Sequence, residues 1–142
     1  MSQFASRELP ELLAPAGSLD ALYAAIAAGA DAVYAGMGSF NARAGNVGLS
    51  VGDLRRGCMV AHAHGARVYV TLNVYVHSDE LEQAVALARE ALGAGTDALI
   101  VADAGLIRAL AEHIPEAELH LSTQAGVQSV AATMLMAREL GV

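Results

Sequence analysis

The sequence predicts an α/β fold, a parallel (β/α) barrel of the TIM type represented here by its first five strand-helix units. Three observations lead to this prediction. Short strand-like segments alternate with amphipathic helical segments along the 142 residues. A passage of the form Gly-x-Asp, leading from a helix end into a buried strand, occurs at both Gly29 and Gly95. Finally, later strands alternate apolar with polar side chains, which suits a barrel wall.

The repeated passage sets the size of the unit. Residues 28–36 read AGADAVYAG and residues 94–102 read AGTDALIVA, and their first glycines lie 66 residues apart. A looser copy, HGARVYV at residues 64–70, lies between them. The unit is therefore about 33 residues long, which is the usual size of a strand plus a helix.

The elements follow in order from strand propensity, helical periodicity and capping residues. After a loose leader over residues 1–10, the predicted strands cover residues 11–14, 31–35, 68–74, 98–101 and 119–122. The predicted helix starts are Ser18, Ser50, Ser78, Asp103 and Ser129. The longest connection, residues 36–49, is rich in Gly and Asn, and loops of this length in βα proteins are often functional.

The end of the sequence indicates an unfinished repeat. Gly141 and Val142 begin another passage from helix to strand, where a sixth strand would follow. We therefore expect residues 1–142 to be the N-terminal portion of a single barrel domain that continues beyond them. A five-stranded part of a barrel has two uncovered sheet edges, so we expect the isolated segment to associate with itself or to be only marginally stable.

The strand faces favour a barrel over an open, doubly covered sheet. In the third strand Val68, Val70 and Leu72 share one face, while Tyr69 and Thr71 share the other. Helices on both sides would bury these polar groups, at about 1 to 3 kcal/mol for each one left unpaired. In a barrel the polar face instead lines an interior that opens at the C-terminal ends of the strands.

Composition limits the chemistry. The net charge of −7 argues against broad, non-specific attraction to nucleic acid by this segment. The absence of Lys excludes Schiff-base catalysis and a phosphate-loop lysine. The single Cys58 excludes an internal disulfide and a multi-cysteine metal site, so no metal or cofactor site is expected in this segment. No apolar run is long enough to span a membrane, and the N-terminus lacks a signal peptide pattern, so a cytoplasmic location is expected.

Polar residues at the predicted C-terminal rim form the candidate substrate site. They are Tyr34, Arg43, Asn73, Asp103, Ser122, Thr123 and Gln124, with His120 on the same strand face as Ser122. Arg43 could clamp a carboxylate or phosphate with its planar fork, or it could be a solvated loop residue. Asp103 could act as a base or metal ligand, although its place before an apolar helix favours a cap. No known catalytic constellation is present, so the catalytic residues are not identified.

At this point the sequence resembles a known family. PELLAPAGSLDALYAAIAAGADAVYAG (10–36), FNARAG (40–45), VYVTLN (68–73), DALIVADAG (97–105) and LHLSTQ (119–124) resemble the start of the collagenase-like peptidases of family U32. The resemblance implies an eight-stranded βα barrel. Ala102 stands where the family often has Gln, which removes one expected polar contact.

The resemblance leaves three functions open. The first is hydroxylation of tRNA or rRNA pyrimidines, with prephenate as a small anionic substrate and RNA as a partner. Relatives of this kind hold an iron-sulfur cluster through cysteines outside the matching segment. The second is a true peptidase acting on peptides, with catalytic groups beyond Val142. The third is a non-catalytic binding or assembly module.

Overall fold

The computed structural model describes residues 10–42 and 48–142, and five parallel strands form its single sheet. The strands, in sheet order, are β1 (Leu13–Ala16), β2 (Ala32–Gly36), β3 (Arg67–Leu72), β4 (Ala98–Val101) and β5 (Leu119–Leu121). The helices are α1 (Leu19–Ala27), α2 (Val51–Ala63), α3 (Leu81–Gly93), α4 (Ala104–His113) and α5 (Val130–Leu135). Each strand is hydrogen-bonded to the strand that follows it in sequence, as the repeat predicts.

The repeated Gly-x-Asp passage performs the same structural task at both positions. Gly29 and Gly95 adopt left-handed backbone conformations, with φ of +92° and +108°. The Asp31 carboxylate then accepts a hydrogen bond of 2.7 Å from the Leu12 N–H, and the Asp97 carboxylate accepts one of 2.7 Å from the Val68 N–H. Each aspartate therefore fastens its strand to the beginning of the preceding strand in the sheet.

The sheet has two different faces. Val33, Val68 and Leu99 point to the side covered by the helices, where they belong to one core with Leu22 and Ile107. The opposite face carries a separate apolar cluster. It consists of Ala32, Tyr69 and Ala98, with the partly buried Tyr34 and Ile100 packed against it. Among the described residues no helix contributes to this second cluster, so the two faces are those of a barrel wall and not of a doubly covered sheet.

Most helix starts are capped as predicted. The side chains of Ser18, Ser50, Asp103 and Ser129 each accept a hydrogen bond from a backbone N–H in the first turn. Ser50 also donates a 2.6 Å hydrogen bond to the Asp53 carboxylate. This hydroxyl, together with Arg56, lowers the pKa of Asp53.

The predicted third helix start is wrong. Ser78 does not cap α3, which begins at Leu81. Residues 78–80 instead form a turn in which the Glu80 carboxylate accepts a 3.0 Å hydrogen bond from the His77 N–H. The longer glutamate side chain reaches back three residues and satisfies a donor that a serine cap would not have reached.

Several boundaries also differ from the prediction. Strand β1 begins and ends two residues later than expected and includes Pro15, which pairs with Tyr34. A proline is tolerated there because β1 lies at the edge of this sheet. Strand β3 ends at Leu72, and the fifth helix is divided into α5 and a π-helical turn over Met136–Leu140.

Among the helices that the structure describes, each is too short or too polar to cross a bilayer.

Candidate functional site

The C-terminal ends of β1, β2 and β3 enclose a small cavity of about 50 Å³, enough for a few water molecules. It lies at the end of the sheet where βα barrels place their active sites. Its lining consists of Ala16, Gly17, Tyr34, Gly36, Asn41, Ala42, Gly48, Thr71 and Asn73. The cavity thus brings together the end of β1, the inward face of β2 and β3, and the loop that follows β2.

Two glycines allow this loop to fold back onto the end of β2. Gly48 has a φ of +68°, and a Cβ atom there would lie 2.3 Å from the Gly36 carbonyl oxygen. That same oxygen accepts a 2.8 Å hydrogen bond from the Leu49 N–H. A Cβ atom on Gly36 would lie 2.8 Å from Cγ of Asn41. The wall of the cavity therefore depends on the absence of a side chain at both positions, since one at 48 would meet backbone and one at 36 would meet the Asn41 side chain.

Asn73 fixes the other side of the loop. Its Oδ1 atom accepts a 3.0 Å hydrogen bond from the Ala42 N–H, which lies 31 positions earlier in the sequence. Below it on the same strand face, the buried Thr71 hydroxyl donates a 3.3 Å hydrogen bond to the Ala35 carbonyl oxygen. The Asn41 amide donates to the Gly38 carbonyl oxygen at 2.7 Å. Asn73 keeps two amide N–H donors in its side chain, and these are the groups it can offer to a ligand.

Asp103 is the helix cap that the sequence favours. Its Oδ1 accepts a 2.8 Å hydrogen bond from the Leu106 N–H, and its Oδ2 receives a long 3.5 Å contact from the Val76 N–H. Both carboxylate oxygens thus face backbone donors. Asp103 links the start of α4 to the loop after β3, which makes it an organiser of the rim.

The residues after β5 lie at the same end of the sheet. Ser122 is buried, its N–H donates to the Val101 carbonyl oxygen at 2.7 Å, and its hydroxyl accepts a 3.2 Å hydrogen bond from the Gln124 N–H. Thr123 and Gln124 are exposed on a short 3₁₀ turn, residues 123–125. The structure therefore places the predicted residues Asn73, Asp103, Ser122, Thr123 and Gln124 on strand ends and loops of one rim, with Tyr34 in the cavity wall.

His120 lies below this rim, within β5. Its Nε2 atom is 2.9 Å from a carboxylate oxygen of Glu118, and its ring meets Tyr69 edge-on with 4.9 Å between ring centroids. The Tyr69 hydroxyl donates to the Glu11 carboxylate at 2.9 to 3.0 Å. Burial and this carboxylate raise the pKa of Tyr69, while Tyr69 in turn raises the pKa of Arg67. His120 therefore lies below the rim, in a group of polar side chains with Tyr69 and Glu118. Its role in substrate binding stays a prediction.

Arg43 lies outside the described residues, so its role also stays a prediction. Three residues of the rim are not among those predicted from the sequence: Asn41, Thr71 as a wall of the cavity, and Tyr75. Alternation along β3 already places Thr71 on the inward face, which was the available signal. Tyr75 and Asn41 lie in irregular loops, where side-chain positions depend on contacts that periodicity does not encode.

No group of three or more metal-ligating side chains that could hold an ion occurs in residues 10–42 and 48–142. Cys58 is buried in the helical layer, and burial raises the pKa of its thiol to about 11. Such a thiol is a packing residue and does not suit metal or cluster ligation.

The family of this chain is shown by its similarity to known proteins. The family model described as Peptidase family U32 matches residues 17–142. The chain belongs to peptidase family U32. Its fold agrees with a solved structure of a U32 peptidase, which superposes with a TM-score of 0.65 at 15% sequence identity, covering 93% of this chain and 56% of that one.

Curated U32 relatives carry names of two kinds. The chain is 42% identical to the tRNA hydroxylation protein P of Escherichia coli over 82% of this chain and 26% of that protein. It is 43% identical to the 23S rRNA 5-hydroxycytidine C2501 synthase of Escherichia coli over 84% of this chain and 18% of that protein. It is 31% identical to a collagenase of Porphyromonas gingivalis over 90% of this chain and 31% of that protein. The chain thus spans between about a fifth and a third of the length of these relatives.

Proposed function

We propose that the protein to which this U32 segment belongs hydroxylates pyrimidine bases in tRNA or rRNA. The observation that carries the proposal is identity of 42% and 43%, over more than four-fifths of this chain, to two proteins named for RNA hydroxylation. The polar rim agrees with this reading, because a base that undergoes chemistry must be held by hydrogen bonds at an accessible site.

The residues of this chain have a binding and positioning role in the proposal. Asn73 fixes the loop after β2 through its Oδ1 and retains amide donors for a ligand oxygen. Thr71 and Tyr34 line the same cavity. Asp103 and Ser122 hold the backbone around them, so the site is supported by strands and helix starts and not by loops alone.

The iron-sulfur cluster implied for relatives of this kind does not fit the residues of this segment. The sequence contains one cysteine, and its thiol is buried among the helices with a raised pKa. No step is therefore assigned to a cluster here, and we propose that any cluster ligands lie outside these 142 residues.

We propose that Arg43 binds the anionic substrate, prephenate. In the complete protein Arg43→Ala is expected to weaken prephenate binding about 10-fold or more, because a charge-assisted pair is lost. Arg55→Ala, which removes an arginine from α2, serves as the matched control. Calorimetric titration with prephenate measures both variants, and unchanged affinity of Arg43→Ala would remove this role.

The function itself is tested by nucleoside mass spectrometry. tRNA and rRNA are compared between the host strain, a strain lacking the reading frame, and the same strain complemented with the full-length gene. The proposal expects one hydroxylated pyrimidine nucleoside to disappear on deletion and return on complementation. Identical nucleoside profiles in all three strains would contradict it.

A second candidate is proteolysis, which the similarity to the Porphyromonas gingivalis collagenase favours. Gelatin cleavage by the purified complete protein would support this candidate, provided that it survives mutation of the cysteines outside this segment. A protein that hydroxylates RNA and leaves gelatin intact would exclude it.

We also propose that the 142-residue segment, expressed alone, associates with itself. Within residues 10–42 and 48–142, strands β1 and β5 each have one edge that pairs with no other strand, and Val130, Met134 and Leu135 leave apolar surface exposed on α5. Light scattering after size exclusion should give a mass that rises with concentration. A monomeric mass across a 100-fold concentration range would contradict this.

A further inference from the structure

Tyr75 is the most exposed aromatic side chain in the described part of the rim, with 74% of its surface accessible. It lies in the loop after β3, two residues beyond Asn73. Its hydroxyl donates a 3.1 Å hydrogen bond to the Gln124 carbonyl oxygen in the turn after β5. The side chain thus reaches from one rim loop to another, past the strand β4 that lies between them.

The loop that carries Tyr75 is held on both sides. Next to it, the Val76 N–H faces the Asp103 carboxylate at 3.5 Å, and the His77 N–H donates to the Glu80 carboxylate at 3.0 Å. On the other side, Asn73 is tied to Ala42. A tyrosine held at its hydroxyl, in a loop fastened at three points, presents its ring without a large further loss of side-chain entropy.

The charge of the segment favours contact of this ring with an RNA base over contact with the phosphates. The net charge of −7 gives little attraction for phosphates, and the described arginines lie on helices and at the start of β3 and not on the rim loops. Stacking of a base on an aromatic face needs no positive charge, and it is the usual way in which proteins hold unpaired RNA bases.

From these contacts we propose that Tyr75 is a stacking platform for an unpaired RNA base next to the candidate site. This inference rests on the proposed action on RNA and adds a residue that positions the nucleic acid. The ring supplies the binding surface, while the hydrogen bond to Gln124 sets its orientation.

The test uses the full-length protein and a fluorescein-labelled ten-residue oligouridine, with an abasic strand of the same length as the matched ligand. Tyr75→Leu keeps apolar bulk and removes the ring, so oligouridine binding measured by anisotropy should weaken about 5- to 100-fold. Binding of the abasic strand should not change. The fold-loss in oligouridine affinity should be roughly the same at 50 mM and 200 mM salt, because stacking releases no counterions.

Two control variants separate the ring from its surroundings. Tyr75→Phe keeps the stacking face and should stay within about threefold of wild type. Met59→Ala removes an exposed apolar side chain from α2 and should have no effect. Failure of wild type to bind oligouridine, equal binding by Tyr75→Leu, or equal losses on the abasic strand would each overturn the proposal.

Failure of the stacking proposal can be distinguished from failure of the hydroxylation proposal. Unchanged nucleosides on gene deletion, together with a base-dependent loss in Tyr75→Leu, would refute hydroxylation and leave the stacking site standing. A lost nucleoside together with wild-type binding by Tyr75→Leu would do the reverse.

Discussion

The two ends of this sheet are built in different ways. At the N-terminal ends of the strands one device is used twice, as Asp31 and Asp97 each accept a hydrogen bond from the start of the preceding strand. At the C-terminal ends the described connections are all different, and they include a folded-back loop after β2, the Tyr75 loop after β3 and a 3₁₀ turn after β5.

The difference separates stability from recognition. A repeated contact, interchangeable between units, is what a scaffold needs, whereas a binding site needs unlike groups that face one place. Barrel enzymes divide these tasks between the two ends of their strands in the same way. Variants at the two ends should therefore fail differently.

The largest effect is expected from Gly48→Ala. Its Cβ atom would lie 2.3 Å from the Gly36 carbonyl oxygen, and the residue has a φ of +68°. Backbone cannot move aside cheaply, so we expect a loss of about 3 kcal/mol or more in the free energy of unfolding, together with loss of the rim site.

Gly65→Ala at the opposite end is the matched control. Its φ is +74°, but a Cβ atom there meets nothing within 4 Å. It should cost about 1 kcal/mol, from backbone conformation alone. Urea unfolding of both variants measures the difference, and equal losses would show that the loop does not need the close approach.

Asp97→Ala should cause the next largest loss of stability. It leaves the N–H of the fully buried Val68 without its 2.7 Å partner and removes the 2.9 Å contact with His62, so we expect a loss of about 2 to 3 kcal/mol. Asp31→Ala exposes the N–H of Leu12 to water and should cost about 1 kcal/mol or less. Thermal melts of the two variants should keep this order, and the reverse order would contradict the account of the repeat.

Asn73→Ala should have a small effect on stability. It removes one half-exposed hydrogen bond to the Ala42 N–H, worth about 1 kcal/mol. Thermal melts of Asn73→Ala beside Asp97→Ala measure this, and a loss as large as that of Asp97→Ala would mean that Asn73 is chiefly a structural residue.

The smallest effect concerns Cys58. Burial raises the pKa of its thiol from the ordinary value of 9.0 to about 11, so the folded protein should resist alkylation by iodoacetamide at pH 8. Because the unfolded thiol ionises first, its contribution to stability is present below about pH 9 and is lost as the pH rises towards 11. Mass spectrometry should show fast labelling only in urea, and rapid labelling of the folded protein would contradict the buried position.

The scaffold could be predicted in detail because its signals are local. Strand β4 has the predicted bounds, Ala98–Val101, since Gly95 and Asp103 mark both ends. The alternation in β3 predicted the two faces of the sheet, and they occur as described above. An error arose where two local capping signals compete, since Glu80 accepts the hydrogen bond from the His77 N–H and α3 begins at Leu81 instead of directly after Ser78.

The site was predictable only in part. Asn73, Ser122 and Asp103 follow strands, so their place at the rim follows from topology. His120 lies within β5, two residues before Ser122, so its position below the rim follows from topology as well, whereas its edge-on contact with Tyr69 crosses strands and does not. The hydrogen bond from Tyr75 to Gln124 joins residues 49 positions apart, and sequence periodicity does not predict such a contact.

The most direct test of this division is the hydroxylated nucleoside formed per molecule of protein in the deletion strain complemented with Asn73→Ala or Asp97→Ala. We predict that Asn73→Ala accumulates normally and yields at least about 10-fold less product, as expected when a positioning contact is lost. Asp97→Ala should lose protein and product in proportion. Wild-type product per molecule from Asn73→Ala would contradict the assignment of the rim as the substrate site.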